Sequence, residues 1–198
     1  MVALHEIHFY ENFLAAHHPE LRRSLGVFYT PQPAVSYIVR AVDDILRQDF
    51  DLCDGIADKT KIDIDGKEFH RVQILDPATG VGTFLLEVIE QIYQRIKDKY
   101  GLDAWQRYVS EHLLPRLHGF EVMKTPYEIA HQKLTEFLQD TGYQLGKHQR
   151  FNIHLKTDIR RLSCSIGRLK TVCMVRRIVF MAKTSMRAAT IEERFGRT

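Results

Sequence analysis

The stretch Val72-Gln73-Ile74-Leu75-Asp76-Pro77-Ala78-Thr79-Gly80-Val81-Gly82-Thr83-Phe84-Leu85 decides how the rest of this chain is read. An apolar run ends in an acid and a proline. Two glycines follow, separated by one residue, and a long amphipathic segment begins directly after them. The pattern predicts a strand, a tight glycine loop and a helix. In such a unit the backbone can approach a ligand closely, because glycine has no side chain and tolerates unusual dihedrals. Asp76 falls at the carboxyl end of the strand, where open α/β sheets bind their ligands. Leu85 stands where a dinucleotide fingerprint would have its third glycine, which argues against NAD or FAD.

Downstream, Phe84, Leu85, Val88, Ile89, Ile92 and Ile96 recur at helical spacing and predict a helix to about Tyr100. Leu102, Trp105, Tyr108, Val109, His112 and Leu113 predict a second helix, with Trp105 in its apolar stripe and therefore in the core. Leu117-His118-Gly119-Phe120-Glu121-Val122 reads as the next strand, again ending in an acid. Thr125-Pro126-Tyr127-Glu128 has the form of a capping box, with Ala130, Leu134, Phe137 and Leu138 lining the helix behind it. An acid ending the second strand is where an α/β fold accepts hydrogen bonds from ribose hydroxyls. Glu121 lies 39 residues beyond Gly82 rather than about 20, and the extra helix accounts for the difference. Phe151 to Leu155 reads as a third strand, with Asp158 just past it.

Upstream, Asp65-Gly66 between Lys61–Ile64 and the segment from Lys67 predicts a hairpin, which makes residues 51–71 an insertion before the central strand. The acids at Asp51, Asp54, Asp58, Asp63 and Asp65 do not fit a calcium loop and are read as solvated. Before them, Thr30 is placed to cap a helix beginning at Pro31, with Val35, Ile38, Val39, Val42, Ile45 and Leu46 as its apolar stripe. Ile7, Tyr10, Phe13 and Leu14 predict an N-terminal helix within residues 1–20. The histidines nearby lack the carboxylates or thiols that a metal site needs.

Three of these segments resemble, in order, the cofactor motifs of adenine-specific DNA methyltransferases of restriction-modification systems of the type I, IIG or ISP kind. Asp76-Pro77-Ala78-Thr79-Gly80-Val81-Gly82-Thr83-Phe84-Leu85 resembles their cofactor loop. Gly26-Val27-Phe28-Tyr29-Thr30-Pro31 resembles the motif that holds the amino-acid end of the cofactor. Gly119-Phe120-Glu121-Val122-Met123-Lys124-Thr125-Pro126-Tyr127-Glu128 resembles the second cofactor motif. The resemblance implies a Rossmann-like, doubly wound α/β sheet that binds S-adenosylmethionine, present here as its N-terminal half over residues 21–155. It implies that Asp76, Gly80 and Gly82 shape the methionine pocket, with Thr30 near the carboxylate and Glu121 on the ribose. Phe84 and Val122 would pack around the cofactor, and Asp158 would lie near its adenine. The family's reaction is methyl transfer to the exocyclic amine of adenine in DNA, through a catalytic N-P-P-Y segment that accepts the amine's hydrogen bonds and stacks the flipped base. No Pro-Pro dipeptide occurs in this chain, so no catalytic residue is nominated.

Charge divides the sequence. Residues 1–155 hold 17 Lys/Arg and 22 Asp/Glu, whereas residues 156–198 hold 11 and 3. The basic, proline-free tail reads as a shifted frame or a truncated gene in preference to a phosphate-contacting domain. Scattered cysteines at positions 53, 164 and 173 fit a reducing cytoplasm. There is no basic-then-apolar leader and no run of about 18 apolar residues, which predicts no membrane association. Expected partners are DNA and, in the full system, restriction or specificity subunits. Two rival readings remain at this level: a nucleotide- or NAD-binding α/β protein, and a basic DNA-binding module whose α/β part is scaffold.

Overall fold

The computed structural model describes residues 13, 16–20 and 30–155. The N-terminal helix expected within residues 1–20 lies largely outside these, and Phe28, Tyr29, Asp158 and the tail at 156–198 lie wholly outside. The elements in order are α1 (Gln32–Gln48), a 3-10 turn (Gly55–Ala57), β1 (Lys61–Ile64), β2 (Lys67–His70), β3 (Ile74–Asp76), α2 (Thr83–Tyr100), α3 (Asp103–Tyr108), β4 (Leu117–Glu121), α4 (Lys124–Asp140) and β5 (Asn152–Leu155). Between α3 and β4 the helix continues as a π turn, Val109–Leu113, and a last turn, Leu114–Arg116.

β3, β4 and β5 form a parallel sheet in that order, with Asp76 opposite Gly119 and Glu121 opposite Leu155. Parallel neighbours need a crossover, and here α2 to Arg116 and then α4 supply it. This is an incomplete α/β sheet of the kind the alternation of strands and helices predicts. The α1 stripe at Val35, Val39, Val42 and Leu46 is buried, and so is the α2 stripe at Leu85, Val88, Ile89, Ile92 and Ile96. Trp105 is fully enclosed, its indole N–H donating to Thr141 Oγ1 at 3.1 Å. Asp43 of α1 and Arg95 of α2 lock the two helices through paired bonds of 2.6 Å each. Burial opposes ionisation of Asp43, yet the Arg95 guanidinium and the Ile56 N–H outweigh it and hold the carboxyl below its ordinary range.

The insertion forms the expected hairpin, β1 against β2 antiparallel, turning at Asp65 and Gly66 with φ of 54° and 76°. Asp51, Asp63 and Asp65 are exposed as expected, but two of its acids are not. Asp58 is buried and accepts from the Thr60 N–H and hydroxyl, and Asp54 pairs with Lys99 at 2.6 Å. The hairpin packs on the π turn through His70 and His112, whose ring nitrogens stand 3.0 Å apart. That bond needs at least one neutral imidazole. Burial, then the nearby Arg116, pushes His70 down to about 4, and burial lowers His112, His118 and His131 as well. Histidines lowered in the fold take up protons preferentially when unfolded, so stability is whole above about pH 6.5 and drains away toward pH 4. The urea midpoint is expected to fall between pH 7.5 and pH 5, and to fall less steeply in His70→Gln. Parallel slopes in the two proteins would refute this.

Two predicted helix starts are displaced. α1 begins at Gln32, with Pro31 at the N-cap position (φ −58°, ψ 140°) and no side-chain cap bond, so Thr30 does not cap it. The extended ψ of Pro31 excludes it from the helix, and its carbonyl accepts from Ala34 and Val35 instead. α4 begins at Lys124 after Met123, and the capping box at Thr125 is not formed. The chain has already turned, because Glu121 Oε1 accepts the N–H groups of Val122 and Met123 at 2.7 and 2.9 Å.

Candidate functional site: the glycine loop between two strand-end carboxylates

Parallel pairing brings the carboxyl ends of β3 and β4 side by side, and so sets Asp76 and Glu121 at the same rim. The two residues are 1% and 7% exposed, and both carboxylates accept bonds from the loop between β3 and α2. Asp76 Oδ1 accepts the Ala78 N–H at 3.1 Å. Glu121 Oε2 accepts the Gly80 N–H at 2.7 Å. The loop is fastened from a third side by Thr79, whose N–H donates to the Phe120 carbonyl at 2.9 Å and whose hydroxyl donates to the Asp76 carbonyl at 3.2 Å. Each strand end thus holds the loop by a backbone or carboxylate acceptor.

Gly82 sits at the N-cap of α2 with φ of 80°, a left-handed conformation that side chains disfavour. A Cβ here would stand 3.1 Å from Ala130 Cβ and 3.3 Å from Ala130 Cα, so the start of α2 is pressed onto α4. Gly119 in the middle of β4 is needed for a different reason. A Cβ there would come within 2.6 Å of Thr79 Oγ1 and 3.2 Å of Leu85 Cδ1. Sequence reasoning assigned Gly119 no role, although an isolated glycine inside a strand is itself a sign of close approach.

Of the proposed site residues, Asp76, Pro77, Ala78, Thr79, Gly80, Gly82, Thr83 and Glu121 are gathered at this rim. Ala78 is exposed and Pro77, Gly80 and Thr83 are half-buried, which leaves the loop's outer edge open to a ligand. Val122 follows Glu121 and is 39% exposed, presenting an apolar side chain beside the rim. Phe84 is buried and belongs with Ile38, Val39 and Asp76 to the lining of a small apolar cavity of about 30 Å³ between α1, β3 and α2. Thr30 is half-buried and Pro31 exposed. Sequence reasoning also missed Gln32 and Glu87. Gln32 Nε2 donates to Glu87 Oε2 at 2.6 Å, which fastens the start of α1 to α2 one turn beyond Thr83.

The fit to a nucleoside cofactor rests on this donor and acceptor set. The carboxylate of Glu121 has room for about four hydrogen bonds and receives three from backbone N–H groups, leaving Oε2 able to accept one more. The first turn of α2 adds the positive end of its dipole at the loop. A glycine loop opening a helix, flanked by acids at adjacent parallel strand ends, defines an α/β protein of the Rossmann-like class.

The family model for N-6 DNA methylase matches residues 7–153. The chain belongs to the N-6 DNA methylase family. It is similar to a protein in the cryoEM structure of a DrdV–DNA complex, at 30% identity and a TM-score of 0.54, over 78% of this chain and 13% of that one. It also matches the Type ISP restriction-modification enzyme LlaGI, in a nuclease-deletion mutant with a DNA substrate mimic, at 24% identity and a TM-score of 0.47, over 73% of this chain and 11% of that one. A further match is the ATP-dependent Type ISP enzyme LlaBIII bound to DNA, at 24% identity and a TM-score of 0.48, covering 76% and 10%. The chain therefore spans about an eighth of the DrdV chain or less of the others. A comparison with curated proteins returned no match.

Proposed function

We propose that this chain is the S-adenosylmethionine-binding half of an adenine-specific DNA methyltransferase, and that the cofactor lies on the rim formed by Asp76, the loop from Pro77 to Thr83, and Glu121. The observation that carries the reading is the pair of strand-end carboxylates, each bonded to the glycine loop, at 3.1 Å from Asp76 and 2.7 Å from Glu121. Membership of the N-6 DNA methylase family supports it. When bound, S-adenosylmethionine supplies a methyl group activated on a sulfonium.

The residues of this chain bind and orient. Glu121 accepts a ribose hydroxyl at its remaining site, Val122 packs on the nucleoside, and Asp76 with Gly80 and Gly82 shapes the methionine end. Thr30 and Pro31 stand at the start of α1, near the amino-acid end. Phe28, Tyr29 and Asp158 complete the motifs by their place in the sequence. With no Pro-Pro dipeptide, transfer to adenine requires the base-holding segment to come from elsewhere in a larger assembly, of the size the DrdV match represents. DNA and a restriction or specificity partner belong to that assembly, in a reducing cytoplasm that suits the exposed thiol of Cys53.

Isothermal titration with S-adenosylhomocysteine and with NAD, side by side, tests the reading. Saturable heat with the first and none with the second is expected. A preference for NAD, or no heat with S-adenosylhomocysteine at millimolar levels, would remove it. Deleting residues 159–198, which keeps Asp158, is expected to leave this binding within about twofold while weakening salt-dependent retention on DNA. Loss of nucleoside binding on deletion would favour a different site.

A further inference from the structure

From the bonding of Glu87, we propose that this residue is a positioning residue for the amino-acid end of the cofactor, acting through Gln32 rather than by touching the ligand. The inference rests on the cofactor reading above and adds a residue to it.

Glu87 is 7% exposed, and its two oxygens are taken by side-chain amides from two elements. Oε2 accepts from Gln32 Nε2 at 2.6 Å, and Oε1 accepts from Gln91 Nε2 at 2.7 Å. Among the described residues no cation lies within ion-pair distance of it, and its charge is felt by Glu90, which burial first and Glu87 second push above the ordinary carboxyl range. An ionised acceptor with neutral amide donors makes short, charge-assisted bonds, worth more than neutral pairs.

The position of this tie gives it a consequence. Gln32 is the first residue of α1, directly after the Thr30-Pro31 corner, and Glu87 is one turn into α2, directly after the glycine loop. The start of α1 is seated by the buried Val35, and among the described residues Gln32–Glu87 is its side-chain hydrogen bond to another element. Pro31 makes no side-chain cap, Pro33 has no N–H, and the Ala34 and Val35 N–H groups turn back to the Pro31 carbonyl. Further along, the helices are held by Asp43 and Arg95, three turns away from the corner. Glu87 therefore sets how close the Thr30 corner stands to the loop. That spacing matters only to a ligand long enough to reach from the ribose rim to the corner.

The test separates the two ends of the ligand. In the full chain, S-adenosylhomocysteine carries the amino-acid end, and 5′-deoxy-5′-methylthioadenosine lacks it. Glu87→Ala is expected to weaken the first about tenfold or more and the second less than about twofold. Glu87→Gln keeps one acceptor oxygen and the same shape, and it is expected to lie between wild type and Glu87→Ala for S-adenosylhomocysteine alone. Equal weakening of both ligands in the two variants would show a merely structural residue and overturn the role. Unchanged affinity for both would overturn it as well. A wild-type chain that binds neither nucleoside would overturn the cofactor reading itself, and the role of Glu87 with it.

Discussion

Glu121→Ala is expected to lower stability by roughly 2–4 kcal/mol and to abolish nucleoside binding. One carboxylate here accepts three backbone N–H groups, from Gly80, Val122 and Met123. Truncation leaves three donors without acceptors at a part-buried rim, and an unmade bond to a part-buried donor costs on the order of 1 kcal/mol or more. The isosteric Glu121→Gln is expected to rescue little. An amide has one acceptor oxygen, so either orientation turns an NH₂ group against a backbone N–H, at Gly80 or at Val122 and Met123. Urea denaturation and S-adenosylhomocysteine titration on the three proteins check this. A Gln variant with wild-type midpoint and affinity would show that the carboxylate is not the clamp.

Gly82→Val is the second large effect, with an expected loss of roughly 2–5 kcal/mol and of nucleoside binding. Two separate costs add. A β-branched residue at φ of 80° is strained, and the new Cβ meets Ala130 at 3.1 and 3.3 Å, the latter a backbone atom that cannot swing aside. Gly82→Asn separates them, since asparagine tolerates the left-handed region better but retains the collision. Its midpoint is expected between wild type and the valine variant. Wild-type behaviour of Gly82→Val would mean that the loop does not enter α2 through a left-handed residue.

These two positions also show how far the sequence carries. Asp76 and Glu121 were legible as strand-end acids, and Gly80 and Gly82 as a tight loop before a helix, since these patterns follow from local chemistry. The hairpin at Asp65-Gly66 and the buried stripes of α1 and α2 were legible for the same reason: they repeat at the period of the element they belong to. The two helix starts were misplaced. Thr30 and Thr125 have the right chemistry for caps, but which residue ends a helix is a competition, and the local pattern does not include the competitors. At Thr125 the winner was Glu121, a strand residue. At Thr30 it was the extended ψ of Pro31.

The sequence by itself determined that two strands end in acids, that a glycine loop opens a helix between them, and that the chain belongs with α/β proteins; each is a property of neighbours along the chain. Only the tertiary structure decided that both acids hold one loop, that Gly119 makes room for Thr79, and that Glu87 fastens Gln32. Glu121 with Gly80, Gly119 with Thr79 and Glu87 with Gln32 are meetings of residues some 40 to 55 positions apart, and they exist because parallel pairing and helix packing bring strand ends and first helical turns to one rim.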